Sequence, residues 1–358
     1  MKHYDGTLGG DGNIFKGALI VRTGDGSETH INPCIAAYVW HPGGIAEGVR
    51  LSIDNLRELR PDAVVLHSGT ADLLANLRRA VAATRLALDG PGQSLDVWVG
   101  LGIDGTIEAW RNGKLTNAQV VTRYTAVATL CEAIGWIKVL VLNGESKWAL
   151  KPGNARSVAD VKQLAHELGE AMVKAAPSIV FALSSFGRLG HHADVRALIE
   201  GLTPHCSVFT GQSYAARPGA PVKGVLPAIL KKDESSQEAT ERQGWLRPDD
   251  VDADGDDVAD DLDRVATVQG HKTNPTDLCK AACERYHIIV WALPMLDEHG
   301  RFDREGLDAI RAALAIRRHW TGAGPGSVAA YQREVGLVPI DGVPGKGTRA
   351  HALAHRES

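Results

Sequence analysis

The chain has 358 residues, 44% of them hydrophobic and 23% charged, with a formal net charge of −4. This composition excludes a disordered chain and a disulfide-stapled miniprotein, and at about 150 residues per domain the length suits two domains or one large domain with an appendage. The charge balance leaves no general footprint for nucleic acid or an anionic membrane, so neither partner is expected.

The opening segment, MKHYDGTLGGDGNIFKG, has no apolar core of signal-peptide length, and synthesis in a cytoplasm is expected. No apolar run reaches about 18 residues, so no membrane insertion is expected. From residue 35 onward, short apolar runs alternate with amphipathic segments. The run 35–40 (IAAYVW) precedes a helix predicted at 45–59, and 63–67 (AVVLH) precedes one at 70–88. The run 95–103 (LDVWVGLGI) leads to 117–134, and 137–142 (IKVLVL) to 157–176. The run 178–183 (SIVFAL) leads to a short helix at 191–201, and a sixth strand is expected at 206–210 (CSVFT). The last two pairs are 264–269 with 275–286, and 287–293 (HIIVWAL) with 304–319.

Continuous Val, Ile and Leu runs suit parallel strands buried on both faces. Eight such strands predict an α/β fold of the (β/α)8 TIM-like barrel type. The rival, a doubly wound open sheet, usually has fewer strands, and no Gly-x-Gly-x-x-Gly turn follows the first run. The barrel is expected to occupy 1–320, with an insertion at about 215–263 and a short helical tail at 321–358.

The insertion holds nine aspartates and no basic residue across 249–263, so the rest of the chain is slightly basic. Within it, Asp250, Asp252, Asp254 and Asp256 alternate around Gly255, with Asp261 at loop position 12. Alternate carboxylates before and after a glycine let one loop wrap oxygens around a hard cation. The run resembles an EF-hand or dockerin-type loop, which implies structural calcium; a solvated acidic loop is the plainer alternative. No cofactor is expected for catalysis. The odd count of five cysteines argues for reduced thiols. Cys279 and Cys283, four apart on a predicted helix, read as small core residues.

In such barrels the chemistry sits at the C-terminal strand ends. There the sequence places Trp40 and His41, then His67 and Ser68, then Asp104, Glu108 and Trp110. Asn143, Glu145, Lys147 and Trp148 follow the fourth strand, and Ser184, Ser185 and Arg188 the fifth. Gln212 and Tyr214 follow the sixth, Gln269, His271 and Lys272 the seventh, and Asp297 and Glu298 the eighth, which itself contains Trp291. Aromatic platforms and planar amides suit the flat C–H faces and many hydroxyls of sugars. No Gly-x-Ser-x-Gly elbow, His-Glu-x-x-His helix or phosphate-binding loop competes with that reading.

Asn143-x-Glu145 resembles the Asp-x-Glu or Asn-x-Glu pair of barrel glycosidases acting on N-acetylated sugars: chitinase-like enzymes, muramidases and endo-β-N-acetylglucosaminidases. The resemblance implies Glu145 as general acid and Asn143 orienting the 2-acetamido group, whose oxygen attacks the anomeric carbon. Tyr214 and Trp291 echo the chitinase-like arrangement, one bonding the acetamido group and one flooring the pocket. Asp104 is the rival partner for a two-carboxylate mechanism. Trp40, His67, Trp148, Gln212, His271 and Trp291 are the candidate substrate contacts; Trp110 and Trp148 are platforms or rim packing.

Residues 325–353 (PGSVAAYQREVGLVPIDGVPGKGTRAHAL) resemble the second half of a peptidoglycan-binding domain, carried by Tyr331-Gln332, Gly336-Leu337, Asp341-Gly342 and Thr348. Pro344-Gly345 reverses that family's usual order. Val328, Tyr331, Val335 and Leu337 give one helix an apolar face, Asp341-Gly342 signals a turn, and Thr348 is placed to cap a last helix. The resemblance implies bacterial peptidoglycan as partner and, with the barrel, a phage endolysin-like glycosidase reaching the wall by holin release or on a particle. Two alternatives stay open: a non-catalytic wall-binding protein, and a metal-dependent amidase or peptidase using His67, His271 or Cys279 and Cys283.

Overall fold

The computed structural model describes residues 2–4, 19–31, 34–89, 95–144, 156–185, 193–202, 204–206, 208–213, 265–269, 274–284, 287–293, 304–320 and 327–355. All eight expected strands form: β4 (Ile35–Val39), β5 (Ala63–Ser68), β6 (Asp96–Gly102), β7 (Ile137–Gly144), β8 (Val180–Ser185), β9 (Val208–Ser213), β10 (Val265–Gln269) and β11 (His287–Leu293). They pair in parallel in chain order, and β11 pairs with β4 to close the barrel. The α/β barrel expected from the alternation is therefore the fold observed.

Strand alternation sorts the side chains into two cores. Ile35, Ala37, Val39, Val64, Leu66, Val97, Val99, Leu140, Leu142, Phe181 and Leu183 face outward beneath the helices. Ala36, Ala63, Val65, Trp98, Val139, Val141, Val180 and Ala182 fill the interior. The interior works by size complementarity: one indole on β6 occupies space left by alanines on β4, β5 and β8. Each fully buried Val, Leu or Ile contributes roughly 1.5–3 kcal/mol of transfer free energy.

The helices between strands are α1 (Ile45–Leu59), α2 (Thr70–Leu88), α3 (Asp104–Arg111), α4 (Asn117–Ile134), α5 (Val158–Ala175), α6 (Ala193–Leu202), α7 (Pro275–Glu284) and α8 (Arg304–Trp320). Local signals set several ends. Thr116 and Gln119 form a reciprocal capping box at α4, and Ser157 and Asp160 do so at α5.

Three features were not settled by the sequence. First, the barrel does not begin at residue 1: Lys2–Tyr4, Leu19–Arg22 and Glu28–Ile31 form a separate antiparallel sheet, β1 to β3. Second, the segment after β6 is helical. Ile107 and Trp110, three apart, are both fully buried in α3, and the Trp110 indole N–H donates to Asn117 at 2.8 Å. Trp110 is thus a core residue and not a substrate platform.

Third, the tail is fused to the barrel. Its helices α9 (Ser327–Glu334) and α10 (Lys346–Ala354) bury Val328, Tyr331 and Ala352 in one core with Leu278, Cys279, Cys283 and Ile316 of α7 and α8. The Ser327 hydroxyl donates to the Cys283 carbonyl at 3.0 Å, and Arg349 donates to the Thr276 hydroxyl at 2.7 Å. Cys279 and Cys283 are buried here as small core residues, and no disulfide joins any of the five cysteines. No helix among the described residues is long and apolar enough to cross a membrane.

Candidate functional site at the barrel mouth

The upper interior of the barrel is polar where the lower interior is apolar. On β7, Asn143 follows Val139 and Val141 in period-two alternation, so it shares their inward face. It is buried, and it is registered with Gly102 of β6 on one side and Ser184 of β8 on the other. Ser184 follows Val180 and Ala182 on the same inward face and is also buried. The end of β6 is pinned from two directions: the Ile103 N–H donates to the Asn143 carbonyl at 3.0 Å, and the Tyr124 hydroxyl donates to the Gly102 carbonyl at 3.1 Å. Asn143 therefore sits on a fixed backbone.

His67 continues the same layer on β5, two residues beyond Val65. Its imidazole lies against β6, where a Cβ added at Gly100 would come within 2.7 Å of its Cδ2. Only glycine at position 100 leaves the ring this room. Tyr38 of β4 stacks on the other side, with ring centroids 5.1 Å apart and planes at 29°. The residue as a whole is partly exposed, but both ring nitrogens are shut off from solvent and have no hydrogen-bond partner among the described residues. Burial alone pushes its pKa down to about 4, so the ring is neutral at pH 7.

The other expected site residues distribute as follows. Trp40, directly after β4, is 41% exposed at the mouth. Asp104 opens α3 one residue after Ile103, beside the end of β7. Gln212 lies on β9 in register with Thr267, and Trp291 lies on β11 in register with Tyr38 and Gln269. Glu145, Trp148, Tyr214 and His271 lie outside the described residues, as do Asp250, Asp252, Asp254, Asp256 and Asp261 of the calcium-like loop. Among the described residues no cluster of His, Cys, Asp and Glu is arranged to hold a metal.

In the tail, the motif residues build the module from inside. Tyr331, Gln332 and Thr348 are buried. The Gln332 amide nitrogen reaches the Asp341 carboxylate at 3.0 Å, the Val343 carbonyl at 3.0 Å and the Thr348 hydroxyl at 3.2 Å. Its oxygen accepts the N–H groups of Asp341 at 3.2 Å and Gly342 at 2.9 Å. Thr348 is thus not the expected helix cap: α10 starts after Gly345, with no side-chain cap, and the Thr348 hydroxyl is occupied by Gln332. The exposed apolar residues of this module are Val338, Ile340 and Val343, on the loop between α9 and α10.

Sequence reasoning named Asn143 and His67 but missed Gly100 and Gly102, which shape the space around them. The pair stands in plain sight as Gly100-Leu-Gly102 at the end of a strand, where glycine marks close approach by another group.

No family model and no curated protein matches this chain. Among solved structures it is similar to an endo-1,4-β-mannanase from Eisenia fetida, with 8% identity over 81% of this chain and 94% of that one and a TM-score of 0.48. It is similar to a chitinase from Chromobacterium violaceum, with 12% identity over 79% of this chain and 99% of that one and a TM-score of 0.43. It is also similar to an N-acetylneuraminate lyase from Aliivibrio salmonicida, with 12% identity over 90% of this chain and 95% of that one and a TM-score of 0.38. Hydrolases and a lyase share this likeness, which therefore assigns no reaction to the chain.

Proposed function

We propose that the chain is a glycoside hydrolase that cleaves the N-acetylated glycan backbone of bacterial peptidoglycan at the barrel mouth. The observation that supports this reading best is the placement of Asn143: buried, inward-facing and backbone-fixed at the C-terminal end of a barrel strand, with Glu145 following two residues later in the sequence. In this reading the Asn143 amide holds the substrate's 2-acetamido group so that its oxygen reaches the anomeric carbon. Glu145 protonates the leaving glycosidic oxygen, and the route needs no carboxylate nucleophile from the protein. An amide suits the first task because it donates and accepts without carrying charge.

The tail supports the choice of peptidoglycan through its sequence resemblance to wall-binding modules. It docks on α7 and α8 and so would hold the barrel at a fixed distance from the wall. The test is digestion of purified peptidoglycan by wild type and Glu145→Gln, with soluble products identified by mass spectrometry. New reducing ends from wild type alone are the expected result. Freed peptides on an intact glycan would overturn the reading, and so would equal activity of the variant.

A further inference from the structure

We propose that the cavity at the seam between barrel and tail is a binding site for a divalent transition-metal ion of the zinc type, with His351 and His355 of the tail and His319 of α8 as its ligands. The proposal is independent of the reaction assigned to the barrel mouth.

The spacing comes first. His351 and His355 are four apart, and the His355 N–H donates to the His351 carbonyl at 3.2 Å, so both imidazoles lie on one face of α10. Their ring centroids are 4.4 Å apart. Two histidines one helical turn apart are a spacing that chelates zinc. The same face borders a cavity of about 260 Å3, kept open by the small side chains of Ala315 on α8 and Ala352 on α10. His319 enters its wall from the last turn of α8, and Tyr331 from α9. Among the described residues no carboxylate, ammonium or guanidinium lines this cavity.

Three imidazoles around one open space suit a borderline cation such as Zn2+ and not a hard one such as Mg2+, which takes oxygen ligands. Two of the rings also have the outer partner that orients a ligating histidine. The Tyr331 hydroxyl and the His351 Nδ1 share a hydrogen bond of 2.9 Å, which leaves Nε2 for the ion. Glu334 stands 3.6 Å from the His319 Nε2, which leaves Nδ1. Burial, and then the nearby His355 and His319, lower the His351 pKa, and the neutral imidazole is the form that ligates. As they stand, the three rings surround the space without converging on one point. His319 and His355 are exposed enough to turn inward, and water would take the fourth position of a tetrahedral ion. A bound ion would tie α8 of the barrel to α10 of the tail.

The experiment uses the full chain without a histidine tag and Zn2+ alone as the probe, with binding followed by titration calorimetry and stability by thermal unfolding. One Zn2+ per chain is expected to depend on this site and to raise the unfolding midpoint. His351→Gln, His355→Gln and His319→Gln are each expected to weaken that binding by about tenfold or more. Tyr331→Phe, which keeps the ring and removes the hydroxyl, should weaken it by about tenfold. His166→Gln, at the hydrogen-bonded His166–His205 pair outside this cavity, should bind as wild type does. His355 is exposed after the last turn of α10, so His355→Gln tests the site even where His351→Gln lowers stability. Unchanged Zn2+ affinity in His351→Gln and His355→Gln would overturn the proposal. So would an equal loss in His166→Gln, or no Zn2+ bound by wild type.

Discussion

Tyr38 and His67 stack inside the barrel, on neighbouring strands, and burial lowers the histidine's pKa with no charged group contributing among the described residues. That arrangement makes the fold acid-sensitive in a specific window. The folded pKa of about 4 lies below the ordinary value of 6.5. Between these pH values the unfolded chain binds the extra proton, so stability is fully present above 6.5 and is lost as pH falls toward 4. The full effect is on the order of 3 kcal/mol. Urea denaturation of wild type and His67→Leu from pH 4 to 8 should show a shallower acid limb in the variant. Identical limbs would mean that His67 does not titrate in this way.

At neutral pH the same substitution should be stabilising. Leucine removes two buried polar atoms that have no partner among the described residues, each costing about 1–3 kcal/mol when left unsatisfied. His67→Leu is expected to raise the midpoint of thermal unfolding at pH 7. A lowered midpoint would show that the imidazole is held by contacts stronger than its stacking on Tyr38.

Gln332 carries the tail. Its amide closes the Asp341-Gly342 turn on one side and the start of α10 on the other. Gln332→Leu would strand the N–H groups of Asp341 and Gly342 and the Thr348 hydroxyl, at an expected cost of about 3 kcal/mol. Because Tyr331 and Val328 belong to the same core as α7 and α8, the loss should appear in barrel unfolding and not as a separate transition. Calorimetry that resolves an independent tail transition would contradict this.

Under the proposed function, wall contact is assigned to the surface of the tail and not to its motif. Val338 is 90% exposed and Ile340 48% exposed, both on the loop that Gln332 supports. Val338→Asp with Ile340→Asp is expected to reduce sedimentation with purified cell walls several-fold while leaving thermal stability within about 0.5 kcal/mol of wild type. Undiminished sedimentation of the double variant, or no sedimentation of wild type, would overturn this assignment.

The barrel was legible because its signal is repetitive. Runs such as 137–142 and 287–293 are apolar enough to need burial on both faces, and their alternation with amphipathic helices leaves few topologies. The amino-terminal sheet was not legible: its strands are three or four residues long, and Lys2–Tyr4 carries no apolar alternation. Helix α3 was hidden for a related reason. Ile103 at its N-cap position gives no capping signal, so Trp110 reads as a rim residue until Ile107 places it on a buried face. At the site, Asn143 was found by its place at a strand end. The unpaired state of His67 was not, because it depends on three strands meeting and on glycines that contribute no side chain.

Arg111 and Asp194 supply the last test, because they brace the strand that carries Asn143. Arg111 ends α3, which follows β6, and Asp194 lies in the first turn of α6, which follows β8; they meet at 2.6 Å, both largely buried. The pair spans β7 from its two neighbours. Removing one partner leaves a buried uncompensated charge, so Arg111→Ala is expected to cost about 3–5 kcal/mol. The double replacement Arg111→Met with Asp194→Leu removes both members of the pair and should recover part of that loss. If the bridge also positions the mouth, the double variant will fold as stably as wild type but bind N-acetylglucosamine more weakly. Full binding in a stable double variant would confine the pair to a role in folding.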